Sequence, residues 1–290
     1  MQVAMAKAMA MPTANASMAS KFRPSAYKIS TITATGTLNV AINLDGFYQQ
    51  VDIIDNNAKE TEGISYIEYG RKGGQIYFKG YHKKMKKRKQ STKRFNNQMT
   101  IVFRVYDATT QLFHDINCKF FQNGNIQMTG LKYIDHGMTV MRRIKDFIPS
   151  QFIDGKIEPS NYNIRLINCD FRTGCEIKRE KLCNLMQTTN DIFCNYEPCI
   201  YPGVKIQYNY NTLTTNKNDG ICTCNEMCNG KGNGCGDGKC KKVTIAVFQS
   251  GCVIITGGQS LVQVNAAYDF ICKTLGENID NVIRLPQLKQ

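Results

Sequence analysis

Phe121-Gln-Asn-Gly-Asn-Ile-Gln-Met-Thr-Gly130 returns, altered, as Phe248-Gln-Ser-Gly-Cys-Val-Ile-Ile-Thr-Gly257, and this pair decides the fold. Phe, Gln, Gly, Thr and Gly hold their places across an offset of 127 residues (248 − 121). An offset that long is not a solenoid period. It marks one unit duplicated, giving two similar halves able to share a pseudo-twofold axis. Asn123-Gly124 and Ser250-Gly251 stand between runs of strand character, so each half carries a β-hairpin.

Working outward, the first half begins with the alternating, β-branched run from Ile29 to Leu38, a strand. Asn43-Leu-Asp45 caps a short helix with Phe47, Val51 and Ile54 on one face. Gly63 to Tyr69 and Met99 to Tyr106 are further strands. Ile116 to Phe121 and Asn125 to Thr129 make the hairpin, and a helix follows with Ile134, Met138, Met141 and Ile144 on its buried face. The second half repeats the order. It has a strand from Tyr162 to Phe171, then a helix from Lys178 to Gln187 with Leu182, Leu185 and Met186 inward. An extended pair from Phe193 to Ile206 is broken at Pro202-Gly203. Strands from Lys242 to Phe248 and from Cys252 to Thr256 come next, and the last helix aligns Leu261, Val264, Tyr268 and Ile271. Each half reads β-α-β-β-β-β-α. The class is α+β, with an antiparallel sheet that has one face under helices and one face free. The expected organisation is a disordered tail at 1–24, repeats at 25–150 and 151–276, a basic insert at 71–98, a Cys/Gly-rich insert at 212–241, and a C-terminal tail at 277–290.

The chain has 290 residues and a net charge of +14. Lys83, Lys84, Lys86, Lys87, Arg88, Lys89, Lys93 and Arg94 contribute eight positive charges with no intervening acid, leaving +14 − 8 = +6 elsewhere. This points to a polyanionic partner or a nuclear-localisation signal; a merely solubilising loop is the alternative. No segment approaches a membrane span and no secretory signal is legible, so no membrane partner is expected. Thirteen cysteines, an odd number, fit a reducing, intracellular setting. Cys222, Cys224, Cys228, Cys235 and Cys240 fall among glycines that permit tight turns. Either Cys222 or Cys224, with the other three, could supply four thiolates to zinc; a Cys/Gly loop without metal is the alternative. Cys118, Cys169, Cys183, Cys194 and Cys272 read as small buried hydrophobes. His82, His114 and His136 stand apart in sequence, and no Walker loop or dinucleotide fingerprint occurs, so no enzyme is expected.

Three stretches resemble the TATA-box-binding protein (TBP) family. They are the hairpin Phe248 to Gly257, its counterpart Phe121 to Gly130, and Tyr196-Glu-Pro-Cys-Ile-Tyr-Pro-Gly203, which is similar to the family's Tyr-Glu-Pro-x-x-Phe-Pro-Gly stirrup. The resemblance covers about residues 25–276, and the tail and inserts look like those of a homologue from a large nucleocytoplasmic DNA virus. It implies a saddle whose concave sheet lies on the minor groove of double-stranded DNA and whose aromatic wedges kink the duplex. Carried over, Phe121, Phe248 and Tyr201 are wedges, with Phe95 the fourth. Thr129 and Thr256 face the groove, beside Gln127 and Ile254 where the family has valines. The family's first-strand asparagines fall on Thr31 and Ile164, give or take a residue, with Asn163 or Asn168 as substitutes if the register shifts. Arg104 keeps a phosphate contact, Gln207 loses its equivalent, and the basic residue after each turn becomes Asn125 or Cys252. Lys83, Lys84, Lys86, Lys87, Arg88 and Lys89 would reach phosphates from the flank. Glu197 faces a transcription factor IIB-like protein, although Cys199 replaces a second acid. The implied function is a transcription initiation factor that bends promoter DNA and recruits RNA polymerase, in a host nucleus or viral factory or packaged in the virion. The alternatives are a protein–protein scaffold with reduced or lost DNA specificity, or a DNA-binding accessory module of a repair or nuclease system.

Overall fold

The computed structural model describes residues 22–55, 57–70, 76–80, 98–213 and 219–284. Phe95 and the basic residues Lys83, Lys84, Lys86, Lys87, Arg88 and Lys89 lie outside them. Among the described residues the strands are β1 Lys28–Thr37, β2 Ala41–Ile42, β3 Gly63–Gly70, β4 Ile76–Gly80, β5 Gln98–Asp107, β6 Leu112–Phe121, β7 Asn125–Leu131, β8 Ile153–Asp154, β9 Ser160–Arg172, β10 Glu176–Ile177, β11 Cys194–Asn195, β12 Val204–Tyr210, β13 Lys241–Val247, β14 Cys252–Gly258 and β15 Ile283–Arg284. The α-helices are α1 Leu44–Gln50, α2 His136–Arg143, α3 Arg179–Thr188, α4 Leu261–Glu277 and α5 Ile279–Val282. The class is α+β, as the alternation of the sequence requires. The chain divides into two compact units, Ile29–Asn168 and Cys169–Gln290, the latter taking the residues up to Lys28. No described helix is long and apolar enough to cross a membrane.

In the unit Ile29–Asn168 the antiparallel order is β1-β7-β6-β5-β3-β4. Successive strand residues point to opposite faces. β1 buries Ile32 and Ala34, while Thr31, Thr33, Thr35 and Thr37 stay half-buried on the other face. Its register sets Thr33 opposite Thr129 and Thr35 opposite Gln127. The buried face lies under helices. α1 starts where the Asn43 side chain accepts the Gly46 N–H at 3.0 Å, and it buries Leu44 and Phe47. The Met141 side chain of α2 occupies the space a Cβ on Gly36 would need. Phe103 packs between Phe120 and Phe147, with ring centroids 5.8 and 5.2 Å away.

In the unit containing Cys169–Gln290 the order is β11-β12-β13-β14, followed by the end of β9. Val243, Ile245, Val247, Val253 and Ile255 are buried on the face covered by Val264, Ala267, Phe270 and Ile271 of α4. α4 begins at Ser260, whose hydroxyl accepts the Gln263 N–H.

The duplication extends to backbone hydrogen bonds. Leu38 N–H donates to Gly124 O and Ile42 N–H to Gln122 O, both at 2.9 Å; Thr173 N–H donates to Gly251 O and Ile177 N–H to Gln249 O, also at 2.9 Å. In each unit the hairpin turn is therefore seated on the segment that follows the unit's first strand.

Several expectations are corrected. Of the face expected on the helix after the first hairpin, Met141 and Ile144 are buried, whereas Ile134 and Met138 are half-buried and His136, Gly137 and Val140 are buried beside them. The His136 ring stacks on Tyr133 at 4.7 Å and 6°, so a polar aromatic residue takes a position that apolar periodicity does not score. β4 lies inside the stretch expected as a basic insert at 71–98 and pairs with β3, Tyr69 facing Tyr77. The expected tails also hold structure near the core. Arg23 N–H donates to Thr173 O, and the Phe22 ring lies against Gly276. Beyond residue 277, α5 buries Ile279 and Val282, and β15 pairs with β10.

Candidate nucleic-acid interface

The helix-free face of each unit carries the residues the sequence singled out. Phe121 ends β6 in phase with Asn117 and Lys119, opposite to the buried Ile116, Cys118 and Phe120, so its ring belongs to the open face. Phe248 follows β13 in phase with the half-buried Thr244 and the small, buried Ala246, opposite to the buried Val243, Ile245 and Val247. Both rings are half-buried rather than core. The structure brings Tyr201 to Phe248, with ring centroids 5.7 Å apart at 60°. Gly203 makes this approach possible, because a Cβ there would press on both rings. Lys205 Nζ sits 4.3 Å over the Tyr201 ring, a cation–π contact.

Thr129 and Gln127 share the open face with Phe121, and Ile254 and Thr256 share that of Phe248. Thr31 is committed locally, its hydroxyl accepting the Gly130 N–H at 3.1 Å. A pocket of about 420 Å³ opens beside the first hairpin, lined among others by Thr35, Phe121, Gln127, Asn163 and Arg165. Arg165 was not singled out by the sequence. Its Nε donates to the Thr35 hydroxyl at 2.9 Å, which holds an exposed cation at the sheet surface. Asn163, rather than Ile164, lines this pocket, and its amide donates to Asn161 O at 2.8 Å. The signal that could have found Arg165 is the alternation Thr31, Thr33, Thr35, Thr37, which marks a continuous polar stripe for neighbouring side chains to join.

Arg104 has other partners. It is 9 % exposed, its Nε donates to Asp115 at 2.8 Å and its Nη1 to Ala58 O at 3.1 Å. A phosphate contact from Arg104 would have to displace Asp115. Glu197 is exposed, and its carbonyl caps the stirrup turn by accepting the Ile200 and Tyr201 N–H groups at 3.0 and 2.9 Å. The neighbouring Ile200 and Phe193 are also exposed. Arg179 braces the turn from below, donating to Pro202 O and Gln249 Oε1.

The histidines do not all stand apart. His114 and His136 have ring centroids 5.5 Å from each other, and His114 lies 3.7 Å from Asp107. Burial works against the Asp107 charge, but hydrogen bonds from Thr110, Thr109 and Tyr133 hold its carboxyl below the usual range. Burial pushes the His136 imidazole down, and its Nδ1 accepts the Lys132 N–H at 3.2 Å. These groups satisfy one another and brace the β5–β6 turn against α2. His82 lies outside the described residues.

The fourth feature is a thiol cluster. Cys222, Cys224, Cys228 and Cys240 bring their sulfurs within 4.8 Å of one another, a group that could hold a metal ion. Cys240 Sγ is 3.4 Å from Cys224 Sγ and 3.6 Å from Cys222 Sγ. Cys235, expected among the ligands, is exposed and outside the group; its N–H instead bonds to Asn233. Sequence order suggested either Cys222 or Cys224, whereas the fold admits both, since both sulfurs approach Cys240 Sγ. The thiols shift in opposite directions: the Gly230 N–H pulls Cys228 down to about 7, whereas burial pushes Cys224 and Cys240 up. Cys118, Cys169, Cys183 and Cys194 are buried as expected, and Cys272 is partly exposed.

The chain has relatives among known proteins. The family model described as transcription factor TFIID (or TATA-binding protein, TBP) matches residues 161–278. Over 283 residues the chain is 30% identical to a protein of Acanthamoeba polyphaga mimivirus named "TATA-box-binding protein-like", covering 89% of this chain and 67% of that one. The solved structure of Methanococcus jannaschii TBP aligns with a TM-score of 0.48 and 15% identity, covering 87% of this chain and 99% of that chain.

Proposed function

The chain belongs to the TATA-binding-protein family, and on that premise we propose that it binds double-stranded DNA in the minor groove and bends it. The reading rests above all on the Tyr201–Phe248 ring pair: two half-buried aromatics in contact at the edge of an open sheet face. An apolar ring can replace a base stack lost at a kink, and the bent duplex then covers more protein. Phe121 plays this part in the other repeat, with Phe95 as its companion. Thr129, Thr256, Gln127, Ile254 and the Thr31 stripe form the groove-facing floor. Asn125 and Cys252 stand where the family has basic residues, and Arg165 supplies a cation beside the first hairpin. Lys83, Lys84, Lys86, Lys87, Arg88 and Lys89 add phosphate attraction from the flank.

Glu197, exposed on the stirrup with Ile200 beside it, is the contact for a transcription factor IIB-like partner, and RNA polymerase recruitment follows in the transcription machinery of a large DNA virus. The family is one of DNA-binding factors rather than enzymes, and no catalysis is proposed. The setting is a host nucleus or viral factory, with packaging in the virion as a further possibility. The metal suited to the four thiolates is zinc.

The test is a duplex-binding assay with a bending readout. Phe248→Ala combined with Tyr201→Ala should reduce the bend and weaken binding by roughly tenfold or more, since each stacked ring contributes about 1–3 kcal/mol. Unchanged bending by that variant retires the wedges. A second reading, a scaffold with reduced DNA specificity, is favoured by the Arg104–Asp115 pairing, which removes one cation from the phosphates. Absence of duplex binding at low salt would select it.

A further inference from the structure

We propose that zinc bound by Cys222, Cys224, Cys228 and Cys240 is the folding core of the insert between β12 and β13, and that Asn211 positions two of the ligands. The proposal rests on the zinc reading of the thiol cluster and adds what the metal does.

The insert has almost nothing else to fold around. From Asp219 to Cys240 the only buried side chain is that of Cys240; the other buried residues are Gly220, Gly230 and Gly234. Met227, a large apolar residue of the segment, is 99% exposed. Gly220, Gly230, Gly234, Gly236 and Gly238 all adopt positive φ. Fixing so glycine-rich a chain carries a high conformational entropy cost, and there is no apolar burial to offset it. A tetrahedral metal centre supplies the missing free energy, as it does in small domains that are unfolded without their metal.

The geometry suits zinc. At a Zn–S distance of about 2.3 Å, tetrahedral sulfurs lie about 3.8 Å apart. The contacts to Cys240 Sγ, 3.4 Å from Cys224 and 3.6 Å from Cys222, are close to that spacing. Backbone N–H groups already point at sulfur: those of Gly230 and Cys240 at Cys228, and that of Gly238 at Cys224. The Asn211 amide, buried at the end of β12, reaches Cys240 Sγ at 3.4 Å, Cys224 Sγ at 3.8 Å and Gly236 O at 2.8 Å. Such N–H donors favour thiolate over thiol and orient the ligands. Binding converts four thiols and Zn²⁺ into a tetrathiolate centre of net charge −2 with release of four protons. Exposed Lys231 and Lys239 lie on the same loop to balance it.

The ordered insert is joined to the sheet. Asn209 N–H donates to Gly220 O, Thr212 N–H to Gly234 O and Lys242 N–H to Gly230 O; Gln263 of α4 donates to Asn233 O at 2.8 Å. Zinc thereby fixes the ends of β12 and β13 in the unit that carries Phe248.

The test uses the full chain, purified under reducing conditions. Metal analysis should give about one zinc per chain, and cobalt exchanged into the site should show the spectrum of a tetrahedral tetrathiolate. Cys224→Ser and Cys228→Ser should each lose the metal, and Cys235→Ser should keep it. Amide exchange with and without a chelator should show protection lost between residues 219 and 242 and retained in β1, β5, β6 and β7. Asn211→Leu should leave the stoichiometry at one zinc but speed metal loss to a chelator. Zinc bound with insert protection unchanged on its removal overturns the folding role and leaves the zinc reading standing. Absence of zinc and of the cobalt spectrum removes both. Metal retained in Cys224→Ser and Cys228→Ser, or lost in Cys235→Ser, overturns the ligand set. None of these outcomes depends on DNA binding.

Discussion

At the residue scale, the structure assigns different work to residues that look alike in sequence. Arg104 and Arg165 are both basic residues on strands. Arg104 is locked to Asp115 and the Ala58 carbonyl, whereas Arg165 is exposed and donates to the Thr35 hydroxyl. His136 is the clearest case for a pH experiment. Burial lowers its folded-state pKa, Asp107 works the other way, and His114 and Lys132 add to the lowering. The neutral form is therefore favoured by the fold, and below about pH 6.5 the unfolded chain binds more protons than the native one. Stability from this residue is fully present above that value and declines as pH falls, levelling off once the folded pKa is passed. Denaturant midpoints measured between pH 7.5 and 5.5 should show the decline, and His136→Gln should flatten it. The Asp107 carboxyl, also lowered, contributes its own loss only at more acid pH, so the two windows separate.

At the scale of elements, the hairpin turns explain the residues kept between the repeats. Gly124 and Gly251 have φ of +78° and +74°, and a Cβ on either would collide with a backbone carbonyl: Val40 O in one unit, Cys175 O in the other. Those carbonyls belong to the segments on which the turns are seated, and backbone cannot swing away as a side chain can. Gly124→Ala and Gly251→Ala should each destabilise by about 2 kcal/mol or more, the left-handed backbone alone costing about 1–2 kcal/mol. Thermal or denaturant unfolding measures this directly. A loss below about 0.5 kcal/mol at both sites would mean that the turns are not seated as described. Gly130 and Gly257, at +97° and +103°, also adopt the left-handed region, with Asp115 O and Lys242 O 3.1 and 3.0 Å from where a Cβ would stand. The repeat thus preserves backbone geometry as much as groove chemistry.

At the scale of the whole molecule, the net charge of +14 makes affinity for a duplex dependent on salt. The observed binding constant should fall as salt rises. Replacing Lys83, Lys84, Lys86, Lys87, Arg88 and Lys89 by Gln should flatten the slope by roughly one unit per phosphate contact removed. A salt series on AT-rich and GC-rich duplexes checks both points, and an unchanged slope would mean that the run does not touch DNA. Much of the architecture is legible in the sequence. Strand and helix positions came from periods of 2 and 3.6, and the Asn43 cap and the hairpin turns were read correctly because the interactions behind them span only a few residues. The strand Ile76–Gly80 was missed because it is short, half-exposed and flanked by lysine and glycine. The docking of Phe22 and of the segment after 277 was missed because their partners lie far away along the chain.

The sequence by itself determined the duplication, the α+β class, the family and the place of Phe121 and Phe248 in each repeat. All of these rest on local patterns and on similarity carried along the chain. Only the tertiary structure decided which thiols meet, leaving Cys235 outside a group that takes in both Cys222 and Cys224. It also decided that Arg104 is spent on Asp115, that Arg165 lies beside Phe121, and that Asp107, His114 and His136 converge. These are contacts between side chains distant in sequence. Spacing along the chain does not fix them; strand register and helix packing do.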